Sequence, residues 1–271
     1  VLAFRGQSRI SLATLVRGDE WSGEKTDYKS LAVLNALRSF SVEVGASSMI
    51  ILVDTESACS SRPSFLKNAR CRSVQSCVGK DGLTVDCVLR IAVKSAKSEL
   101  IGFVNGDIMI FQGFVESVKL VASRYDKFLL VGRRHMSDEV PFLKKIDIRK
   151  SLKQIKGRTR HLPLDSGYAV DYFVARRKDF ADMLLNFPPF IAGVWRWDNA
   201  LLAHVYRNEQ YMVIDGTQTV TALHQNTPAE KNHEQRRGAH HNSELAQVYS
   251  GDDFWFGSIA FADIILMPGK Q

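Results

Sequence analysis

Four short, largely apolar runs, Ile10 to Leu15, Met49 to Val53, Leu100 to Val104 and Phe128 to Val131, punctuate the first half of this chain. Runs of this length without polar alternation suit strands covered on both faces. Between them apolar residues recur at helical spacing. Tyr28, Leu31, Leu34 and Leu37 mark a helix over about Thr26 to Phe40. Val85, Val88, Leu89, Ala92 and Ala96 form one stripe of a helix that Thr84 caps and that runs to about Lys97. Phe114, Val118, Val121 and Tyr125 share a face of a third helix, Phe114 to Tyr125. Alternating strands and helices predict an α/β fold with a mostly parallel sheet, helices on both faces and right-handed crossovers.

The second half is less regular. It predicts a strand at Tyr172 to Ala175, a short helix near Asp179 to Leu185, a helix from Asp198 to Tyr206, and strands near Met212 to Ile214 and Val220 to Leu223. Thr227 to Ser250 is polar and basic and reads as a long loop or lid. With 271 residues, 45% hydrophobic and 24% charged, the chain can build one extensive core.

The formal net charge of +7 favours anionic partners. No basic run interleaved with aromatics and no zinc-finger spacing is present, so nucleic acid is not an expected partner. No window of 18 or more uninterrupted apolar residues occurs, so this segment is not expected to span a membrane. The first residue is Val1, which suggests trimming and leaves room for a membrane anchor outside this segment. The cysteines Cys59, Cys71, Cys77 and Cys87 fit no standard zinc spacing. Two disulfides in a secretory compartment are one reading, and small buried thiols in a cytosolic core are the other. There is no Asn-x-Ser/Thr sequon to support the first.

In IGFVNGDIMIF, from Ile101 to Phe111, an apolar run is broken by Asn105-Gly106-Asp107 and then resumes. Gly106 allows a sharp turn that would project Asn105 and Asp107 from the carboxyl end of a strand, where open α/β sheets bind ligands. Asp107 is a candidate metal ligand on these grounds. An ordinary Asn-Gly turn is the plainer alternative.

Two further motifs follow in order: Trp195-Arg196-Trp197-Asp198-Asn199 opening a helix, and His224-Gln225-Asn226 after a late strand. With Asn105-Gly106-Asp107 they resemble glycosyltransferases of the GT-A fold, over most of the chain from Ile10 to about His241. The resemblance implies a single domain with a nucleotide-binding half at about 8–131 and an acceptor-binding half at about 132–271. It implies a sugar moved from a UDP- or GDP-sugar to a hydroxyl of a glycan or protein, with Mn²⁺ or Mg²⁺ held by Asp107 and His224 and with Asp198 at the reacting centre. Asp54, in the acidic turn Asp54-Thr55-Glu56-Ser57, is implied at the base or ribose, and Arg17, Arg90, Asn105, Gly106 and Arg236 at the donor. Gly167 and Asp171 resemble the sugar-pocket segment. The expected location is a Golgi lumen, with the cytoplasm as the alternative. Asn105 departs from the family's first aspartate, although an amide can still bond a ribose hydroxyl.

The chemistry is consistent with those roles. Breaking the anomeric bond leaves charge on a diphosphate, which a cation must meet. Mg²⁺ and Mn²⁺ prefer oxygen ligands and keep waters or phosphate oxygens, so few protein ligands suffice. Asp198 could accept a hydroxyl proton or merely cap its helix. An inverting enzyme needs it behind the anomeric carbon as a base, and a retaining one needs it elsewhere. Trp195 and Trp197 offer indole faces to a sugar ring. His224 could equally be a satisfied buried histidine. Alternative functions are a catalytically weak carbohydrate-binding relative, or a sugar-nucleotide nucleotidyltransferase, for which Arg17-Gly18-Asp19 lacks the Gly-rich loop.

Overall fold

The computed structural model describes residues 9–20, 27–141, 143, 147–225, 237–250 and 257–269. Its elements run β1 (Ile10–Val16), α1 (Tyr28–Glu43), β2 (Met49–Val53), α2 (Glu56–Ser60), β3 (Arg70–Ser73), α3 (Val85–Ser95), β4 (Leu100–Val104) and β5 (Ile108–Ile110). Then come α4 (Phe114–Arg124), β6 (Phe128–Arg133), β7 (His135–Ser137), α5 (Ile148–Thr159), β8 (Val170–Arg176) and α6 (Arg177–Met183). The last are α7 (Trp197–Arg207), β9 (Met212–Asp215), β10 (Ala222–Gln225), α8 (Ala239–Ser250) and β11 (Ile264–Ile265).

Eight strands form one sheet in the order β11-β9-β6-β8-β4-β1-β2-β3. All neighbours are parallel except β8, which lies antiparallel between β4 and β6. A strand from the second half of the chain therefore sits in the middle of the sheet. That inversion positions the site. Because β8 is reversed, its first residues lie beside the last residues of β4 and β6, with Val104 opposite Tyr172 and Arg133 opposite Val170. A second sheet, β5-β10-β7, follows directly from the β4 turn.

Both faces of the large sheet are covered, as the unbroken apolar runs require. Along β4 Ile101 and Phe103 join one core with α3, α6 and α7, while Leu100 and Val104 join the opposite core with α1 and α4. Period-two alternation thus feeds two cores at once. Met109, Phe111 and Leu223 of the small-sheet region pack with Leu152 and Ile155 of α5 in a third cluster.

Disulfides Cys59–Cys71 and Cys77–Cys87 tie α2 to β3 and the turn after β3 to α3. Cys87 is therefore bridged, not simply a small hydrophobe. Thr84 stands at the start of α3 but makes no side-chain capping bond. The stretch expected as a loop from Thr227 ends in helix α8, whose Ala246 is buried and whose Asn242 amide bonds Ile191 O and Trp195 O. Among the described residues, no helix is long and apolar enough to cross a membrane.

Candidate active site

The parallel pairing of β1, β2 and β4 brings their carboxyl ends to one edge. Arg17, Asp54 and the Asn105-Gly106-Asp107 turn share that edge. Asp54 Oδ1 accepts from Gly18 N at 2.9 Å, which joins the turns after β1 and β2. Arg17 is exposed, with its backbone N–H on Glu20 Oε2 at 3.2 Å. Gly106 serves a different purpose from the one expected. Its φ is not among the positive values, and a Cβ would stand 2.6 Å from Leu15 O, so glycine is needed for close approach to β1.

Beyond that turn the chain enters β5, which pairs with β10 so that Ile108 faces His224. His224 is in the strand, not after it. Its Nε2 lies 3.5 Å from Asp107 Oδ2. Burial alone would raise Asp107, but the bond and charge of His224, with Arg134 beyond, hold it down at about 2. Burial would lower His224, yet Asp107 lifts it to about 8.

A second group stands on the reversed strand. Asp171, 2% exposed at the start of β8, takes both oxygens' bonds from Arg134 Nη1 at 2.9 Å. Arg134 Nε also bonds Asp165 Oδ2 at 3.0 Å. Asn105 is held here as well, its side-chain amide on Asp171 Oδ1 at 2.7 Å and its backbone N–H on Asp171 O at 3.1 Å. Asn105 and Asp171 therefore bind each other. Burial works against the Arg134 charge, and Asp171, Asp165 and Asp107 more than offset it. Removing one member of a buried pair strands the other charge, at about 3–5 kcal/mol. Arg134→Met should lower the free energy of unfolding by that amount, readable from a urea midpoint that falls at unchanged slope.

Asp198 opens α7 after Arg196, which has φ +84°, an uncommon conformation for a residue with a side chain. Asn199 fixes this end, donating to Tyr168 O and Gly257 O at 2.9 Å. Asp198 Oδ1 accepts from Asn199 N at 2.9 Å. Burial, then the nearby Asp171 charge, push the Asp198 carboxyl up to about 7.

The two tryptophans separate. Trp195 is 50% exposed, but Trp197 is 6% exposed and packs against Phe103 and Phe173, with centroids 6.0 and 5.6 Å away. Trp197 is thus a core residue that anchors α7, and the expected sugar platform reduces to Trp195. Arg90 donates to Leu184 O at 2.7 Å, which commits it to joining α3 and the end of α6. Gly167 O accepts from Ile259 N at 2.9 Å. Arg236, with Asn226 and His233, lies outside the described residues.

Sequence reading missed Arg134 and Asp165. The signal was Arg133-Arg134 directly after an apolar run, at a strand's carboxyl end.

Among the described residues no group of three or more His, Cys, Asp or Glu could hold a metal ion. The pair Asp107 and His224 fits one by its donor chemistry. The two side chains would hold a divalent ion through a carboxylate oxygen and an imidazole nitrogen that already stand 3.5 Å apart.

No family model matches the chain, and no curated protein matches it. Solved structures do. TarS 1–349 from S. aureus in complex with UDP-GlcNAc has a TM-score of 0.51 at 11% identity, covering 94% of this chain and 67% of that one. Glucosyl-3-phosphoglycerate synthase from Mycobacterium tuberculosis in complex with phosphoglyceric acid has a TM-score of 0.50 at 13% identity, covering 90% and 80%. Both are nucleotide-sugar glycosyltransferases of GT-A type. At such identities the likeness is one of architecture, and this chain has the GT-A fold.

Proposed function

We propose that the protein is a metal-dependent glycosyltransferase that moves a sugar from a nucleotide-sugar donor to a hydroxyl of a glycan or glycoprotein. The observation that carries this reading is the gathering of Asp107, His224 and Asp198 within the field of Arg134, at the edge where α/β sheets bind ligands. Asp107 and His224 would hold Mn²⁺ or Mg²⁺, which when bound stabilises charge developing on the departing diphosphate. Asp198 then accepts the proton of the acceptor hydroxyl as its oxygen attacks the anomeric carbon. A carboxyl poised near 7 suits a base working at neutral pH. Asp171 supports that basicity while Arg134 keeps Asp171 itself paired. Trp195 gives the sugar an exposed indole face.

TarS holds UDP-GlcNAc on this fold, which makes a UDP-sugar the first donor to try. The two disulfides favour an oxidising compartment such as the Golgi lumen over the cytoplasm. The test is a panel of UDP- and GDP-sugars incubated with oxidised protein and Mn²⁺. Release of a nucleoside diphosphate from one donor, stopped by chelation, is expected. Pyrophosphate release from a nucleoside triphosphate and sugar phosphate would instead identify a nucleotidyltransferase. Donor-specific thermal stabilisation without turnover would identify a binding protein.

A further inference from the structure

Successive side chains of a strand point to opposite faces, so β10 presents His224 on one side and Gln225 on the other. Gln225 is fully buried beneath α1. Its Nε2 spends both hydrogens on carbonyls, donating to Ala32 O in α1 at 2.9 Å and to Asp107 O at 3.0 Å. Its Oε1 accepts from Asn35 Nδ2 at 3.0 Å, and Asn35, also fully buried, gives its second hydrogen to Pro141 O at 2.7 Å. Among the described residues Asn35 Oδ1 has no partner. Two buried amides with one orphaned oxygen are a costly way to fill a core that Leu and Met could fill.

That arrangement touches both proposed ligands. Asp107 lies in a short turn between β4 and β5, and the bond to its carbonyl is made by the residue next to His224. The side chain of Gln225 therefore ties the backbone bearing one ligand to the backbone bearing the other, and Asn35 fixes the orientation of that amide from α1. We infer that Gln225, oriented by Asn35, is a positioning residue that sets the separation of Asp107 and His224 and hence the affinity of the site for its divalent cation. The inference rests on the metal reading of Asp107 and His224. Groups that orient metal ligands are worth about 10–100-fold in affinity when removed.

The test titrates Mn²⁺ into the full chain in the presence of UDP, following free Mn²⁺ by electron paramagnetic resonance, with the melting temperature measured alongside. Gln225→Met keeps the volume and removes the bonds, and should weaken Mn²⁺ about 10–100-fold. Because Gln225→Met leaves several polar groups unsatisfied and could fail to fold, the double variant Asn35→Leu/Gln225→Met provides the second arm. It removes both amides, so the melting temperature should recover relative to Gln225→Met while the Mn²⁺ affinity stays low. In a glycosyltransferase assay the Mn²⁺ requirement should rise in the same proportion, with turnover at saturating Mn²⁺ near that of the parent. Mn²⁺ affinity that recovers together with the melting temperature would show that the amides serve packing only and would overturn the inference. So would parental affinity in Gln225→Met. Asp107→Ala separates the two levels. If it binds Mn²⁺ as the parent does, the metal reading itself has failed; if it does not bind while Gln225→Met binds normally, only the positioning role has failed.

Discussion

Asp198→Asn should slow sugar transfer by orders of magnitude and at the same time raise the melting temperature, and both effects have one origin. A carboxyl that titrates near 7 is a competent base because its charged form is poorly solvated where it stands. The amide cannot accept a proton, so kcat should fall about 10²–10⁴-fold, the usual contribution of a general base. The parent's rate should climb with pH and level off above about 7. A flat profile, or an Asn variant retaining full turnover, would remove Asp198 from the chemistry.

The stability change has the opposite sign to the familiar paired aspartate. In the folded chain Asp198 titrates at about 7, against the ordinary 3.8, so between those values the folded state holds more protons than the unfolded one. Stability attributable to this group is therefore greatest below about pH 4, declines as pH rises toward 7, and stays at its minimum above that. The full shift corresponds to about 4 kcal/mol, which partial solvent access should reduce to roughly 1–3 kcal/mol. Asp198→Asn escapes the penalty and keeps an oxygen for the bond from Asn199. At pH 8 its melting temperature should exceed the parent's by about 2–10 °C, a gap that closes toward pH 4. Calorimetry at both pH values checks it.

Where the residue pattern was unambiguous, the fold was legible. The runs Met49–Val53 and Leu100–Val104 are strands with those same limits, because unbroken apolar residues stop abruptly at Asp54 and Asn105. Strand direction was not legible, since alternation carries no polarity, and the reversal of β8 had to come from tertiary pairing. Helix α5 escaped notice because Ile148, Leu152 and Ile155 are scattered among basic residues. At the site, Asp107, His224 and Asp198 stood out as polar groups interrupting or ending apolar elements. Trp197 misled for a related reason: adjacency to Asp198 suggested the sugar pocket, but on a helix neighbouring residues point in different directions, and Trp197 turns into the core. Arg134 was overlooked because its partner Asp171 lies far along the chain, and Gln225 stood out only as the neighbour of His224 because its bond to Asp107 O spans the same kind of distance.

Asp107→Asn is the sharpest test of the metal reading, because it preserves shape and removes only charge. Mn²⁺ or Mg²⁺ binding should be lost, and with it turnover, by about 10³-fold or more, equivalent to roughly 4 kcal/mol of stabilisation of the departing diphosphate. Adding excess Mn²⁺ should not rescue it. The substitution carries a second signature that needs no substrate. Asp107 is what lifts His224 to about 8, against burial and Arg134, which both push it down. With the carboxylate gone, burial and Arg134 remain and only the weaker pull of Asp171 opposes them, so the His224 imidazole should titrate well below the parent's value of about 8, visible by NMR in the metal-free protein. A downward shift with turnover intact would mean that the two side chains pair electrostatically but play no part in catalysis. Loss of turnover with the histidine unmoved would mean that Asp107 acts on the donor without His224.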